Sequence, residues 1–567
     1  MTRSHAALFV FLGAGVAAGA FAGCGSDPDP TSVFPDAGPD AIDDVLVLTD
    51  SSPLPDAGPT EFNDFPPPIV VGGDGGPGAP QNAPTLFGDV DGGATDGGGA
   101  GPCLVEPEIG SLYPRNWLRP RFRWNATGGQ NLFELRLHVD NQKTDLLVYT
   151  VATQWTMPKV MWDALRQNSA DVPMTLTVRG GVWNGTALSN VAVGSTGPIG
   201  IAPAEAPGAI VYWWIKSQTG LKGFTVGDET VVPALTSAQV KQRPVTCIGC
   251  HSGSPTGEDV ILSAPPSAWA NVAARIDPAA DAGVGSTPPF AGTAGLAALA
   301  QGTLGITSMS KSHWQPGDRV VVGSDGTNLV WIDVEATTPG AARGTIARTG
   351  TAPAAGTLAG APSFSHDGKN IVYVATNRLT DGRLGGFYQS QTDNGSRADL
   401  FVVPYANRAG GAITPLTGAN DPNVQEYYPA YSPDDSLVAF NRAPNDRNMY
   451  NQSQAELYVI SSQGGTPVRL AANDPPACSG KTSPGVTNSW PKWAPNVETV
   501  KGKTYYWIVF SSVRLGANPQ LFISPVVVEN GQAKTYAALY LWNQPADEGN
   551  HTPAWEFFKL PPPPPPN

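Results

Sequence analysis

The chain has 567 residues, a length that suits three or four domains, and Gly and Pro together account for 121 of them. This share, about a fifth, is typical of turns, linkers and short strands, and it excludes a mainly helical protein. The formal charge of −14 arises within residues 25–102, which hold 14 acidic residues and no Lys, Arg or His. Because the rest of the chain is balanced and carries no basic stripe, nucleic acid is not an expected partner.

The first residues predict export. Arg3 precedes an apolar run of signal-peptide length, Ala6–Ala22. The run ends in Phe-Ala-Gly-Cys24, which resembles a bacterial lipobox, so residues 1–23 are interpreted as a lipoprotein signal peptide. The resemblance implies an acylated Cys24 that anchors the protein in the membrane; the alternative is an ordinary secretory signal with an incidental Cys. Gly25, by the same resemblance, favours the outer membrane, and both its periplasmic and its surface leaflet stay open.

Two terminal segments have the composition of disordered chain. Residues 24–102 are rich in Gly, Pro and Asp and contain two copies of Pro-Asp-Ala-Gly-Pro. They offer too few apolar side chains to offset the entropy of ordering, and they predict a disordered tether. Residues 561–567 predict a polyproline tail in an extended conformation.

Residues 103–203 predict an immunoglobulin-like β-sandwich. Apolar and polar residues alternate there, most clearly at Phe133, Leu135, Leu137 and Val139. A period of two with one wet face indicates half-buried antiparallel strands. About 100 residues with such strands and one short helical segment, Val160–Leu165, suit this kind of sandwich.

Residues 207–560 predict a β-propeller, because an aromatic residue, a tight turn and a buried strand recur along them. The recurring units are Ser312–Arg319, Pro362–Lys369, Pro429–Asp435 and Pro491–Asn496, with aromatic anchors at Trp314, Phe364, Tyr431 and Trp493. Two half-units, Ile210–Ile215 and Thr552–Trp555, would join to close the ring and remove its exposed sheet edges. The expected fold is all-β, with the sandwich followed by six propeller blades.

The repeat Pro-x-Phe-Ser-Pro-Asp-Gly-Lys, followed by a hydrophobic strand, resembles the TolB-like β-propeller repeat. Individual copies are degenerate, so the resemblance depends on their recurrence over residues 207–560. It implies a propeller whose face can dock a partner or a polymer.

The strongest motif is Cys247-Ile-Gly-Cys250-His251. Two thiols at this spacing form thioethers to the vinyl groups of a haem, and the adjacent His becomes an axial ligand of the iron. A redox dithiol would need a βαβ setting, and zinc would need further ligands at regular spacing. The motif therefore predicts covalent haem c, which fits an exported chain because this haem is attached outside the cytoplasmic membrane.

The repeat places the haem at one mouth of the propeller channel, since His251 aligns with Pro362 and its equivalents in the loop that enters an innermost strand. The second axial position has three candidates, His551, His313 and Met309, and a fourth alternative without any protein ligand. A second His or a Met indicates electron transfer, whereas an open position indicates chemistry on a small molecule. Tyr427 is a weaker candidate for the channel lining.

Two cysteines remain, Cys103 and Cys478. In an exported chain they form either a disulfide that ties the sandwich to the propeller or two separate free thiols.

A haem motif inside a TolB-like propeller, behind a sandwich, is similar in architecture to the hydrazine synthase α-subunit family. Only Cys247, Cys250 and His251 carry over by motif, so that family's reaction is not transferred. The expected function is an envelope lipoprotein that uses haem c for electron transfer or redox chemistry with a partner protein or a small molecule; whether it is an oxidoreductase stays open. The alternative is a non-enzymatic binding or scaffold module. A hydrolase is disfavoured because no Gly-x-Ser-x-Gly elbow occurs.

Overall fold

The structure, a computed structural model, describes residues 64–72, 78–88, 101–265, 270–301, 304–377, 397–445, 449–450 and 452–562. The predicted signal peptide, Cys24 and residues 563–567 lie outside this set. All described residues belong to one unit, Ser52–Asn567. Within them, no helix combines the length and the apolar character that crossing a membrane requires.

The first domain is a sandwich of two sheets. Its helices are α1 (Ala83–Phe87) and α2 (Lys159–Asn168), and its strands are β1 (Ile69–Val70), β2 (Cys103–Glu106), β3 (Leu112–Tyr113), β4 (Arg121–Asn125), β5 (Leu132–Val139), β6 (Leu146–Thr150), β7 (Gln154–Thr156), β8 (Met174–Trp183) and β9 (Leu188–Ile201). One sheet has the order β2-β4-β7 and the other β1-β6-β5-β8-β9-β3. Apart from β1 and β3, this is the A-B-E against C′-C-F-G arrangement of immunoglobulin-like domains, which confirms the predicted sandwich.

Part of the predicted tether is packed on the sandwich. Strand β1 pairs in parallel with β6 and extends its sheet. Phe87 of α1 is buried, and the guanidinium carbon of Arg179 lies 5.3 Å from the centre of its ring. The prediction of a disordered segment is therefore wrong for residues 64–72 and 78–88. Their few apolar side chains are ordered by a sheet edge and a pocket that the distant strands provide, which local composition does not show.

The second domain contains strands β10 to β36. They are β10 (Ala209–Ile215), β11 (Thr219–Thr225), β12 (Val232–Thr236), β13 (His251–Gly253), β14 (Asp259–Ser263), β15 (Asn271–Arg275), β16 (Ser308–Gln315), β17 (Asp318–Ser324), β18 (Leu329–Asp333), β19 (Arg343–Thr345), β20 (Ala347–Thr349), β21 (Leu358–Phe364), β22 (Asn370–Thr376), β23 (Ala398–Pro404), β24 (Gly410–Ala412), β25 (Thr414–Pro415), β26 (Val424–Tyr431), β27 (Leu437–Pro444), β28 (Glu456–Ser461), β29 (Val468–Arg469), β30 (Ser489–Trp493), β31 (Glu498–Val500), β32 (Lys503–Ser512), β33 (Gln520–Glu529), β34 (Gln532–Thr535), β35 (Leu539–Tyr540) and β36 (Gly549–Glu556). Helices α3 (Thr293–Leu299) and α4 (Pro339–Ala342) lie in connections, as do the 3-10 turns Ser237–Gln239, Ala471–Asn473 and Ala477–Ser479.

Apart from β20 and β24, which pair with each other in parallel, these strands form six blades. Blade 1 has the order β36-β10-β11-β12, blade 2 β13-β14-β15, blade 3 β16-β17-β18-β19, blade 4 β21-β22-β23-β25, blade 5 β26-β27-β28-β29 and blade 6 β30-β32-β33-β34, with β31 and β35 beside it. Strand β36 completes blade 1 by pairing with β10, which places Trp555 opposite Ile210. The prediction of six blades, closed by the two half-units, is confirmed.

The innermost strand of most blades carries a bulge at one repeated position. In β21, β26, β30 and β36 the residue before a Pro has a positive φ, between 37° and 62°, and the strand register shifts there. Two residues after this position, one side chain from each blade lines the central channel. We call these six the channel ring: Ser252, Ser308, Ser363, Ala430, Lys492 and Ala554.

Blade 3 departs from the predicted alignment. Met309 pairs with β17 as Phe364 pairs with β22, so Met309 holds the anchor position of its blade. Strand β16 then runs on through Trp314 to a hairpin turn. The proposed equivalence of Ser312–Arg319 with the other units is wrong, because this hairpin imitates the repeat's turn but lies five residues farther along the strand.

The sandwich and the propeller share one hydrophobic core. The Trp117 ring of the sandwich lies 6.5 Å from the ring of Phe224 and 6.4 Å from the ring of Trp555, both in blade 1. Arg514 of blade 6 is buried and donates a hydrogen bond to Glu108 Oε1 at 2.8 Å. The two domains are therefore held together by buried apolar and charged contacts.

Cys103 and Cys478 form a disulfide. Cys103 begins β2 in the sandwich, and Cys478 lies in the 3-10 turn between blades 5 and 6. Of the two arrangements that the sequence left open, the structure has the bonded one. The bond joins positions 375 residues apart and ties the sandwich to this side of the ring.

Candidate functional site

The Cys-x-x-Cys-His pentapeptide lies where the chain enters the innermost strand of blade 2. Cys247 and Cys250 belong to the loop before β13, and His251 is the first residue of that strand. Ser252 pairs with Ile261 as Ser363 pairs with Val372 in blade 4. His251 therefore holds the position that Pro occupies in other blades, as the repeat predicted.

His251 is buried, with 8% of its surface exposed. Neither ring nitrogen makes a hydrogen bond within the described part of the chain. Burial lowers the pKa of the imidazole to about 4. The nearby Val211 backbone offsets part of this shift, although it forms no hydrogen bond with the ring. The ring is therefore neutral at physiological pH, and a nitrogen lone pair is available to a ligand or a metal.

His551 comes from β36, the innermost strand of the adjacent blade 1. Its ring centre lies 4.6 Å from that of Trp213 and 6.0 Å from that of Tyr450, and its Nδ1 is buried without a hydrogen-bond partner. Burial lowers its pKa to about 3, and the proximity of His251 contributes to the shift. The structure thus brings one of the predicted second ligands close to the proximal one.

The two cysteines differ in state. Cys250 is a free thiol that packs against an apolar cluster, and burial raises its pKa to about 11. Cys247 takes part in a disulfide. A thioether needs a free sulfur, so haem attachment at Cys247 and this disulfide are mutually exclusive states.

Aromatic side chains surround the cysteines and histidines. Trp490 and Tyr428 stack with ring centres 3.9 Å apart, and Tyr450 meets the edge of Trp490 at 6.2 Å. Tyr428 and Trp490 occupy the bulge positions of β26 and β30. Cys250 occupies the equivalent position immediately before β13. The indole nitrogens of Trp490 and Trp213 are buried without partners. Flat apolar rings therefore lie beside three buried imidazole nitrogens that have no hydrogen-bond partner among the described residues.

Below His251 the channel contains a cavity of about 90 Å³. Its walls are the channel ring, the residues that follow that ring in each blade, and side chains that include His251, Thr307, His366 and Glu556. Sites that enclose drug-sized ligands measure roughly 300–1,000 Å³. A porphyrin is too large for this cavity, so a haem would have to lie outside it, beside the Cys247–Cys250 loop.

No group of three or more His, Cys, Asp or Glu side chains able to hold a metal ion occurs among the residues described. A haem needs no such group, because the porphyrin supplies four nitrogens and the protein adds one or two axial ligands.

The other predicted site residues lie elsewhere or have other partners. His313 is not brought to His251: its Nδ1 lies 2.7 Å from Asp318 Oδ2, and its ring stacks on Phe364. Met309 lines the same cavity as His251. Tyr427 is fully buried in the core of blades 4 and 5 and is not part of the cavity wall.

His366 also reaches the cavity but has a structural partner. Its backbone nitrogen and Nδ1 lie 2.7 and 2.9 Å from Asp435 Oδ1. Burial lowers the pKa of this imidazole, but the hydrogen bond and charge of Asp435 outweigh it and raise the pKa above its usual value.

Two charged residues of the cavity were missed by the sequence analysis. Lys492 belongs to the channel ring, and Glu556 follows the anchor of blade 1. Burial raises the pKa of Glu556 to about 7, against the opposing charges of His366 and Lys492. The signal that could have found Lys492 is the repeat alignment, in which its column otherwise contains Ser and Ala.

No protein-family model and no curated protein matches the chain. Among solved structures, TolB from Acinetobacter baumannii is similar over 67% of this chain and 79% of its own, with 12% identity and a TM-score of 0.36. The BP39L lectin from Burkholderia pseudomallei is similar over 65% of this chain and 95% of its own, with 13% identity and a TM-score of 0.30. A puromycin-hydrolysing peptidase from Mycobacterium tuberculosis is similar over 54% of this chain and 39% of its own, with 16% identity and a TM-score of 0.29. The likeness to these proteins concerns the β-propeller fold and not their activities.

Proposed function

We propose that the chain is a cell-envelope protein that carries a covalent haem c at one mouth of its TolB-like propeller and uses it for electron transfer. The observation that carries the proposal is the pentapeptide Cys247–His251, whose cysteines lie in a channel-mouth loop and whose buried His has two unpartnered ring nitrogens. The bound group would supply one-electron redox chemistry at this mouth.

Each residue of the site has a distinct role in the proposal. Cys247 and Cys250 would hold the porphyrin through thioethers, and His251 and His551 would supply imidazole nitrogens to its iron. Burial keeps both imidazoles neutral, so their nitrogens can bind iron. The aromatic side chains at the bulge positions would help to exclude water from a bound haem, which would supply one-electron transfer.

The location of the protein is part of the proposal. The Cys103–Cys478 disulfide supports an oxidising compartment outside the cytoplasm, where c-type haem is attached. The sequence of residues 1–23 and the lipobox-like Cys24 support export and anchoring in the outer membrane by a lipid.

The test is to produce the full chain in a bacterium that carries the c-type maturation machinery, and to record a pyridine haemochrome spectrum and an intact mass. The expected result is a c-type spectrum and the mass of one covalent haem. After reduction, Cys247 and Cys250 should not react with a thiol reagent, because both sulfurs are in thioethers.

The variant Cys247→Ser/Cys250→Ser should lose the covalent haem. The matched control, Cys103→Ser/Cys478→Ser, removes the same number of sulfurs far from the channel mouth and should retain it. A colourless wild-type protein after maturation, with no added mass, would overturn the proposal and favour the non-enzymatic binding module.

A further inference from the structure

The channel ring contains one residue that breaks its pattern. Five of its six members are Ser or Ala, and the sixth, from blade 6, is Lys492. The small side chains leave a space on the propeller axis, and the Lys492 side chain forms part of the wall of that space. This ring lies on the cavity side of His251 and does not include the residues proposed to hold haem.

The ammonium group of Lys492 has no hydrogen bond and no ion pair with any of the residues that the structure describes. Burial lowers its pKa, although the charges of Glu556 and Cys250 oppose the shift. Lys492 is half-buried in the cavity wall, so its ammonium is accessible to a ligand that enters the cavity, and an unpartnered ammonium favours a negative ligand.

Two serine hydroxyls of the same ring have a proton to donate. Ser308 Oγ accepts a hydrogen bond from the Phe364 backbone at 2.9 Å, and Ser363 Oγ accepts one from the Tyr431 backbone at 3.1 Å. Neither hydroxyl donates to another described group, and each can donate one hydrogen bond. The backbone bonds fix the position of both oxygens on the cavity wall.

Size and charge limit what can bind. A cavity of about 90 Å³ holds on the order of three waters, or a ligand with three or four heavy atoms. Glu556 is the one carboxyl group among the lining residues, and it forms no ion pair with Lys492 within the described chain. One ammonium and two hydroxyl donors match the oxygen atoms of a small monovalent anion.

We propose that the channel ring is a binding site for a small monovalent oxyanion of the size of formate or nitrate, held by Lys492, Ser308 and Ser363. The site adjoins the proposed haem site, because His251 also lines this cavity, but none of the three residues that would hold the anion is a proposed haem ligand. A larger carboxylate, such as benzoate, exceeds the cavity, and a small cation has only Glu556 to bind it.

The test is isothermal titration calorimetry of the full-length protein, prepared without haem maturation, with formate, nitrate, benzoate and methylammonium at constant ionic strength. Formate or nitrate should bind saturably at one site, whereas benzoate and methylammonium should not bind. Absence of saturable binding of both small anions to the unaltered protein would overturn the proposal without any variant.

Lys492→Met keeps the length of the side chain and removes its charge, and it should weaken anion binding at least about tenfold. Lys311→Met is the matched control, because Lys311 is exposed on β16, and it should bind as the wild type does. Equal loss in both variants would indicate a diffuse charge effect and would contradict the assigned site. Circular dichroism of each variant checks that the fold is retained.

Discussion

His551 is the residue that we propose as the second axial ligand of the haem. Its replacement by Ala should leave one face of the iron open, so the reduced protein should bind carbon monoxide with a clear change in its absorption spectrum. The wild type should show little change. The matched control is His313→Ala, since His313 is held by Asp318 away from the channel mouth. If His551→Ala and the wild type bind the gas equally well, His551 is not a ligand.

Glu556 should make the stability of the fold depend on pH. The folded protein holds the Glu556 proton up to about pH 7, whereas the unfolded chain releases it near the ordinary value of 4.5. Because the folded state binds more protons between these values, the free energy of unfolding falls as pH rises through them. The loss is on the order of 3 kcal/mol.

Urea denaturation at a series of pH values from 4 to 8 measures this loss. Glu556→Gln should reduce the fall in stability over that range and should be the more stable protein near pH 8, whereas Glu426, Asp259 and Asp399, whose pKa values are also raised, keep part of the slope. Glu529→Gln, at an exposed position of β33, is the control and should keep the wild-type slope. An unchanged slope in Glu556→Gln would show that this carboxyl group is ionised in the folded protein.

At the level of single residues, the sequence predicted the pentapeptide and its position at the entrance to a strand. It could not separate His551 from His313, because both follow turn-like segments at similar positions in the repeat. Lys492 was missed for a different reason: an isolated Lys in a strand has no motif, and its meaning depends on the five small residues that other blades place beside it.

Blade 2 lacks the aromatic anchor of its innermost strand. Gly253 occupies the position of Phe364 and Tyr431, and a Cβ atom there would lie 2.5 Å from Phe558 Cζ. Phe558 follows β36 and is buried, with 6% of its surface exposed. Phe558, which follows the closing strand β36, therefore fills the space that an aromatic anchor would fill. This contact packs blade 2 against blade 1.

Replacement of Phe558 by Ala should lower the free energy of unfolding by about 3–4 kcal/mol, since it leaves a cavity between two blades. Phe557→Ala is the matched control, because Phe557 is 50% exposed and should change stability by less than about 1 kcal/mol. Chemical denaturation followed by tryptophan fluorescence measures both. Similar small effects in the two variants would mean that Phe558 does not stabilise the blade.

The elements that the sequence predicted well are those in which a turn and an anchor occur together, as in blades 4, 5 and 6. Blade 3 was misaligned because its innermost strand is extended and ends in a second Gly-containing hairpin. Strand β1 and helix α1 were missed, since their order depends on a sheet edge, and the residues of this edge that pair with β1 lie 79 positions farther along the chain.

The Cys103–Cys478 disulfide should contribute to the stability of the whole molecule. A bond between positions 375 residues apart removes a large part of the entropy of the unfolded chain. Cys103→Ser, Cys478→Ser and the double variant should each lose about 3–5 kcal/mol. Equal losses in the three variants, measured by denaturation without reductant, would identify the bond as the cause; a double variant much less stable than either single one would contradict it.

The number of blades could be predicted because the two half-units at the ends of the repeat region complete each other. The sandwich could be predicted from the alternation of apolar and polar residues along its strands. The way in which the two domains pack could not, because the contact depends on single residues such as Trp117 and Arg514, whose partners lie in strands far apart in sequence.

Strand β36 follows every other described strand in the chain, and it closes blade 1 directly beside the blade that carries Cys247, Cys250 and His251. Until that last strand docks, the seam between these two blades is a lateral opening, and the cysteines are reachable from the side. Before the ring closes, a bulky planar molecule can therefore approach the two cysteines from the side as well as from the channel mouth.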